Sequence, residues 1–89
     1  MRENSFAPVP VILIVDDQPT DTLMLQEAVA DLGDIYTAHD GDAALALAGA
    51  HRPDLILLDV QMPGMNGFQL CKTIKATPRL WDAAIVFVT

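Results

Sequence analysis

The stretch LILLDVQMPGMNG, residues 55–67, runs from an apolar segment into an acid and then into a Pro-Gly turn. Its first four residues are apolar without alternation, which is typical of a strand that is covered on both faces in a parallel sheet. Asp59 follows this strand directly, at the point where the chain would leave the sheet. The stretch therefore predicts a buried strand and raises the question of what an acid does at its end.

Three more segments have the character of strands. They are VILIV at residues 11–15, IYTA at residues 35–38 and AIVFV at residues 84–88.

The longest apolar run, residues 6–15, falls short of the roughly 20 residues that a membrane-spanning helix needs. Glu3 and the lack of a small-residue cleavage site do not fit a signal peptide. The sequence thus predicts four strands and no membrane segment.

The segment between the first two strands is predicted to be a helix. Pro19 suits its first turn, because an N–H at that position would have no partner within the helix. Gly33 offers a stop after the last apolar position. Between Pro19 and Gly33, apolar residues recur at helical spacing, as on a helix face that packs against a sheet. These residues are Leu25, Ala28, Val29 and Leu32.

Two more helices are predicted farther along the chain. Asp40 can cap the second, which ends before Pro53 because a proline disfavours helical backbone in the residue that precedes it. The third begins near Gly67 and ends before Pro78. We expect it to bury one side, formed by Phe68, Cys71 and Ile74.

Strands that alternate with helices predict an α/β fold with a doubly wound parallel sheet. In the flavodoxin-like strand order 2-1-3-4-5, the first and third strands are neighbours where the order reverses, and ligands bind there at the carboxyl ends of the strands. Asp16 and Asp17 follow the first strand, Asp59 follows the third, and Thr89 follows the fourth. We therefore expect three carboxylates to converge at one edge of the sheet, with a hydroxyl at the end of the fourth strand.

Carboxylates that lie close together repel one another, so their site needs either raised pKa values or a cation. An all-oxygen site with several acids favours Mg²⁺, which commonly links protein carboxylates to a phosphate. Asp59 could attack a phosphoryl donor and form an aspartyl phosphate, while Thr89 donates its hydroxyl to the transferred oxygens. The acids thus predict Mg²⁺ as the cofactor and phosphoryl transfer as the chemistry.

The chain resembles the receiver domains of two-component response regulators. Three blocks match the hallmarks of that family in order: VILIVDDQP, LILLDVQMPGMNG and IVFVT. The 42 positions from Asp17 to Asp59 and the 30 positions from Asp59 to Thr89 are also close to the family pattern. The resemblance covers about residues 9–89, nearly the whole chain.

The resemblance implies a role for each site residue. Asp59 matches the phosphoacceptor, which takes its phosphoryl group from a phosphohistidine on a sensor histidine kinase or a phosphotransfer protein. Asp16 and Asp17 match the acidic pair that holds Mg²⁺, and the main-chain carbonyl of Gln61 would complete that metal site. Thr89 matches the hydroxyl residue that contacts the phosphoryl group and reorients on activation. Such a domain assists its own phosphorylation and dephosphorylation and switches a downstream output, so we do not expect an enzyme.

One hallmark of the family is absent from the sequence. The family places a Lys after a fifth strand and an aromatic switch residue on that strand, whereas the sequence stops at Thr89. We expect residues 1–9 to be a flexible tail and residues 10–89 to be a receiver domain in strand order 2-1-3-4, with the fifth strand and last helices missing. An uncovered fourth strand would be an apolar edge, so we also expect the 89 residues either to be poorly stable or to associate with another copy through this unfinished side.

Composition sets limits on the partners of this chain. Its 89 residues carry a net charge of -7 with only 5 Lys and Arg, so a nucleic acid is a poor direct partner. The single cysteine, Cys71, cannot form an internal disulfide, which fits a reducing compartment. We expect a cytoplasmic protein with neither nucleic acid nor membrane as a direct partner.

Two other functions compete with this interpretation. A phosphatase of the haloacid dehalogenase type also uses an Asp after a parallel strand, but it needs a second acid two residues later, where this chain has Gln61. A receiver that has lost its chemistry can instead be a non-phosphorylated interaction module, a pseudo-receiver. The intact acids and Thr89 argue against that module and the missing Lys favours it. Phosphorylation by acetyl phosphate is the observation that separates a phosphorylated receiver from a pseudo-receiver.

Overall fold

Four parallel strands alternate with three helices along the chain. The computed structural model describes residues 9–62, 66–80 and 82–88. Its elements, in chain order, are β1 Val11–Val15, α1 Pro19–Ala28, β2 Asp34–Ala38, α2 Gly41–His51, β3 Leu55–Asp59, α3 Gly67–Ala76 and β4 Ala84–Val88. The strand order is β2-β1-β3-β4, and every pairing is parallel. The α/β class and the strand order predicted from the sequence are confirmed.

The sheet is covered on both faces, which explains the continuous apolar character of its central strands. One face packs under α2 and α3 and forms the larger core, whose fully or almost fully buried members include Leu13, Val15, Ile56, Leu58, Ala44, Ala48, Leu70 and Ile74. The other face packs against α1 through Ile12, Ile14 and Leu57, which contact Leu25 and Val29. Burial of one large aliphatic side chain stabilises a fold by about 1.5–3 kcal/mol. The larger core therefore contributes most of the hydrophobic stabilisation.

The helix starts follow local signals in the sequence. Pro19 lies in the first turn of α1, as predicted. The Asp40 side chain accepts a hydrogen bond from the main-chain N–H of Ala43 at 2.7 Å and so caps α2. Asn66 and Gln69 form a reciprocal capping box at the start of α3, which fixes where that helix begins. This start matters for the site, because α3 is the element that follows β3.

The first helix ends earlier than predicted. It stops at Ala28 rather than at Gly33, and Leu32, predicted on its packed face, is 56% exposed. The chain turns here to bring β2 beside the start of β1, where the main-chain N–H of Asp34 donates to the carbonyl of Pro10 at 2.9 Å. A Cβ on Gly33 would meet that same carbonyl oxygen at 2.1 Å. The glycine therefore marks a close approach of two chain segments and not a helix stop.

The predicted buried side of the third helix is wrong in one residue. Phe68 is 62% exposed, and its ring lies against that of Phe87 on β4, with the centroids 5.0 Å apart. Successive helical residues are turned by about 100°, which places Phe68 outside the face that packs on the sheet and Cys71 at its margin. The residues that α3 does bury are Gly67, Leu70 and Ile74, which are spaced three and four positions apart. Cys71 beside them is partly buried.

The outer parts of the predicted domain are only partly covered by the structure. Residues 1–8 and Thr89 lie outside the described residues, so the predicted tail and the predicted missing strand stay predictions. Within the described sheet, β4 is the outer strand opposite β2, and its Val86 and Phe87 are exposed. No helix among the described residues has both the length and the apolar character needed to cross a bilayer.

Candidate functional site

The acids singled out by the sequence lie at one edge of the sheet. Asp16 directly follows β1, and Asp59 is the last residue of β3. These two strands are neighbours, with Val15 paired to Leu58, so the next position on each strand falls at the same edge. Asp17 follows on the β1 side. Parallel pairing thus brings together residues that are 42 positions apart in the sequence.

Three carboxylates converge at this edge. One oxygen from each of Asp16, Asp17 and Asp59 lies within 4.8 Å of the other two. Asp16 is buried, with 5% of its surface exposed, whereas Asp17 and Asp59 are partly exposed. The three acids are therefore close enough to share one cation on the side of the site that faces water.

Main-chain N–H groups hold two of these carboxylates in place. The N–H of Gln18 donates to Asp16 Oδ1 at 2.9 Å, and the N–H of Gln61 donates to Asp59 Oδ1 at 3.1 Å. In each case the donor lies two residues after the acid, so the turn that leaves the strand also fixes the side chain. Each bond occupies one carboxylate oxygen and orients the other.

The surroundings of Asp16 disfavour its charged form. Burial is the largest effect and raises the pKa of its carboxyl, while the hydrogen bond from Gln18 lowers the pKa. The negative charges of Asp59, Asp21 and Asp17 raise the pKa further. The net result is a pKa above the ordinary value of this side chain. The acids therefore lie in an arrangement that a bound cation would stabilise.

The donor set fits Mg²⁺. Its three ligand atoms are all carboxylate oxygens, which is the chemistry that this hard cation prefers. Two of the acids are partly open to water, and Mg²⁺ usually keeps several water ligands. The cluster contains neither a thiolate nor an imidazole, so it offers little to a softer transition metal. The carboxylates of Asp16, Asp17 and Asp59 are therefore suitable ligands for Mg²⁺, the cofactor that the sequence predicts.

Gly67 supports this edge in a way that the sequence analysis did not predict. A Cβ on this residue would lie 2.3 Å from the carbonyl oxygen of Asp59 and 2.7 Å from Cα of Val60. The N–H of Gly67 also donates to the Val60 carbonyl at 2.8 Å. The start of α3 thus packs on the main chain at the end of β3, at a distance that excludes a side chain. Asn66-Gly67, at the cap and first residue of a helix, is the sequence signal that could have shown it.

A partly apolar cleft opens beside the acids. Its volume is about 190 Å³, and it is lined by Asp16, Asp21, Met24, Leu25 and Val88. Leu23 and Met24 on α1 are both exposed. The cleft joins the buried acid to the apolar surface of this helix. A partner could therefore bury apolar side chains on α1 while it brings a reactive group to the acids.

Two predicted site features are not placed by the described residues. Thr89, the predicted hydroxyl donor, and the loop at residues 63–65 lie outside them. Gln61 is exposed, and the structure connects its N–H, rather than its carbonyl, to Asp59. A metal contact from the Gln61 carbonyl and a phosphoryl contact from Thr89 therefore stay predictions.

Comparison with known proteins gives one family. A model of the response regulator receiver domain matches residues 12–89. The response regulator PleD of Caulobacter vibrioides is 42% identical over 79 residues, which make up 88% of this chain and 17% of PleD. The chain thus spans about a sixth of the length of that relative.

Solved structures agree with the fold. The N-terminal domain of a response regulator receiver protein from Methanoculleus marisnigri JR1 matches with a TM-score of 0.85 and 30% identity, over 92% of this chain and 68% of that one. The chemotaxis protein CheY4 of Vibrio cholerae matches with a TM-score of 0.84 and 33% identity, over 90% of this chain and 68% of that one. Both likenesses cover nine tenths of this chain and support the parallel sheet described above.

Proposed function

The chain belongs to the response regulator receiver domain family, and from that membership we propose that its Asp59 is the phosphoacceptor of a two-component pathway. The donor is the phosphohistidine of a sensor histidine kinase or of a phosphotransfer protein. One observation carries the proposal: a carboxylate oxygen of Asp59 lies within 4.8 Å of those of Asp16 and Asp17. The three carboxylates lie at the carboxyl edge of a doubly wound sheet, where such folds bind ligands.

In this proposal Asp59 acts as a carboxylate nucleophile. An oxygen of Asp59 forms a bond to phosphorus as the bond from phosphorus to the donor's imidazole nitrogen breaks, and that nitrogen keeps the electron pair. The hydrogen bond from the N–H of Gln61 restricts the rotation of the carboxylate. The contact of Gly67 with the main chain of Asp59 fixes the position from which the side chain projects. A nucleophile that is already oriented lowers the entropic barrier of the transfer.

Asp16, Asp17 and Asp59 would hold Mg²⁺, with the Gln61 carbonyl as a further protein ligand. Bound Mg²⁺ would offset the charge of the acids and of the transferred phosphoryl oxygens. Asp16 supplies a buried carboxylate that Gln18 orients. Asp17 and Asp59 supply partly exposed carboxylates, so the donor's phosphoryl group can reach the same side of the site.

Thr89 is proposed to donate its hydroxyl to a phosphoryl oxygen and to reorient on activation. The match of IVFVT to the family hallmark supports this role. Its preceding residue, Val88, pairs with Asp59 across the β3–β4 ladder. A hydroxyl donor aimed at developing negative charge is an effective way to assist such a transfer.

A protein partner is proposed to deliver the phosphoryl group at the cleft beside Asp16. Leu23 and Met24 are exposed, and Met24 lines that cleft. Neighbouring exposed apolar side chains next to a reactive site are typical of a surface that binds another protein. The kinase or phosphotransfer protein would cover these side chains while its phosphohistidine approaches Asp59.

Three wider proposals rest on the family. The first is a downstream output that phosphorylation switches. The second is a cytoplasmic location, where a sensor kinase would present its phosphohistidine. The third is self-association through the outer edge of β4, which is supported by the exposure of Val86 and Phe87.

The test is Mg²⁺-dependent phosphorylation of the full protein by acetyl phosphate, followed by mass spectrometry. The wild type is expected to gain one phosphoryl group with Mg²⁺ and none after chelation. Asp59→Asn should abolish the gain, because an amide is a poor nucleophile. Asp31→Asn, at an exposed position in the turn after α1, is the matched control and should be labelled like the wild type.

Two outcomes would contradict this proposal. Strong labelling of Asp59→Asn would show that another residue accepts the phosphoryl group. A folded wild type that binds Mg²⁺ but stays unlabelled would favour the non-phosphorylated interaction module instead.

A further inference from the structure

A histidine ring anchors the main chain between the two acids that follow β1. The main-chain N–H of Asp16 donates to the Ala38 carbonyl at 3.1 Å, and Nδ1 of His39 lies 3.0 Å from the Asp16 carbonyl oxygen. A carbonyl oxygen only accepts hydrogen bonds, so Nδ1 carries a proton and donates it. Both hydrogen-bonding groups of the Asp16 main chain are thus held by adjacent residues at the end of β2.

The His39 ring replaces a main-chain hydrogen bond of the ladder between β1 and β2. Val15 pairs with Ala38, so the ladder would next pair Asp16 with His39. In a parallel ladder the Asp16 carbonyl would then accept from the N–H of the residue after His39. That residue is Asp40, which has already left the strand as the N-cap of α2. The His39 side chain supplies a donor at the point where the strand no longer continues.

We propose that His39 is a positioning residue for the acid pair Asp16 and Asp17, and through that pair for Mg²⁺ binding. The carbonyl that it holds belongs to the peptide group between these two acids. Rotation of that peptide group would move both carboxylates relative to Asp59. His39 is not itself a member of the acid cluster among the described residues. The inference rests on the metal site proposed above and adds a residue that orients its ligands.

The test compares His39 variants by their Mg²⁺ dissociation constants, measured in the full protein by calorimetry. Alkaline pH keeps imidazole neutral, so loss of a positive charge cannot explain a difference. His39→Ala is expected to weaken Mg²⁺ binding about three- to tenfold, which is the effect of one net hydrogen bond.

Two amide variants locate the donor. His39→Asn should restore binding, because its amide nitrogen is as many bonds from the main chain as Nδ1 is. His39→Gln places the amide nitrogen one bond farther and should bind Mg²⁺ as weakly as His39→Ala. Nitrogen-15 NMR of the wild type should also show a protonated Nδ1 on His39 in neutral imidazole.

His51 provides the matched control. Its ring stacks on that of Tyr36, with the centroids 3.8 Å apart, at the end of α2 that is farthest from Asp40. His51→Ala removes this packing and should lower the thermal stability without changing the Mg²⁺ affinity. This control separates loss of a ring contact from loss of the anchor at the acids.

The outcomes distinguish this inference from the proposed function. Wild-type affinity in His39→Ala, or an Asn variant as weak as the Ala variant, would overturn the role of His39 and leave the metal site standing. Mg²⁺ affinity that is unchanged in Asp17→Ala would overturn the metal site, and with it the inference.

Discussion

The two edges of the sheet use the same residue type for opposite purposes. At the amino edge, the Asp54 carboxylate accepts from the N–H of Val11 at 2.8 Å. The N–H of Asp54 donates to the Val11 carbonyl at 2.8 Å, and its carbonyl accepts from the N–H of Ala84 at 2.9 Å. One acid thus links three strands, and it lines a polar cleft together with Arg52 and Arg79.

At the carboxyl edge, acids face other acids. One carboxylate oxygen from each of Asp16, Asp17 and Asp59 lies within 4.8 Å of the other two, and burial and like charge raise the pKa of the Asp16 carboxyl. The Asp54 carboxylate joins segments that are 43 positions apart, whereas Asp16 and Asp59 each accept from an N–H only two residues later and lie among like charges that a cation would offset. The contrast teaches that neighbouring charges and the sequence distance of the hydrogen-bond partner, rather than residue type, separate an acid that links strands from acids that suit a cation.

The largest expected effect tests the glycines that support the two edges. Gly33 packs on the Pro10 carbonyl, and Gly67 packs on the Asp59 carbonyl. An added methyl group would have to displace main chain in both places, so Gly33→Ala and Gly67→Ala should each lower the free energy of unfolding by about 1–3 kcal/mol. Urea denaturation measures this loss.

Mg²⁺ titration then separates the two glycine variants. Gly67→Ala moves the chain that carries Asp59 and should weaken binding, whereas Gly33→Ala should not. Equal affinities would show that the start of α3 does not position Asp59.

A smaller effect is expected from the structural acid. Asp54→Ala removes the acceptor of the Val11 N–H and should lower the free energy of unfolding by about 1 kcal/mol. Its Mg²⁺ affinity should stay at the wild-type value, because Asp54 lies at the other edge. Asp54→Asn keeps an acceptor oxygen and serves as the control in thermal denaturation. A weaker Mg²⁺ affinity in Asp54→Ala would break the division between the edges.

The smallest expected effect is an increase in the free energy of unfolding. Asp16→Asn removes a charge that burial and neighbouring acids disfavour, and the new amide oxygen can still accept from the N–H of Gln18. We expect the free energy of unfolding without Mg²⁺ to rise by about 0.5–1 kcal/mol at neutral pH. The same variant should bind Mg²⁺ more weakly, so stability and binding change in opposite directions.

This gain should depend on pH. The folded state raises the pKa of Asp16 above its ordinary value of 3.8, so the ionised acid destabilises the fold. Below the ordinary pKa, Asp16 is protonated in both the folded and the unfolded state, and its charge makes no difference. The gain should appear as the pH rises from there and be complete above the raised pKa. A gain of constant size from about pH 3 to about pH 7 would show that the charge is not its cause.

The sequence was sufficient to predict the strands and the meeting of the acids. Continuous apolar runs separated by helical segments indicate a parallel sheet, and in such a sheet all carboxyl ends lie at one edge. The positions of Asp16, Asp17 and Asp59 after their strands therefore predicted a shared location. The loop after α1 was less predictable, because its turn is set by the approach of Gly33 to Pro10, a contact between distant segments.

The supporting residues could not be predicted from local patterns. Phe68 is apolar and lies near other apolar residues of α3, yet the helix face is fixed by the contact of Gly67 with the end of β3. The residues around His39, an apolar strand before it and Asp40 and Asp42 after it, predict the end of a strand and the start of a helix but no role for His39 itself. Its contact with Asp16 depends on the register of β1 and β2 and on the residue at which β2 ends. Such contacts follow from the tertiary structure and not from residue spacing.

The central position of β1 also has a kinetic consequence. Its bond to the start of β3 joins Val11 to Asp54, 43 positions farther along the chain. Loops of this length close slowly, since chain entropy is lost before the distant strands gain their contacts. Asp16 and Asp17 follow one of these strands and Asp59 ends the other. A chain that is still folding therefore presents an incomplete set of acids, and metal binding would mark the moment at which β1 and β3 meet.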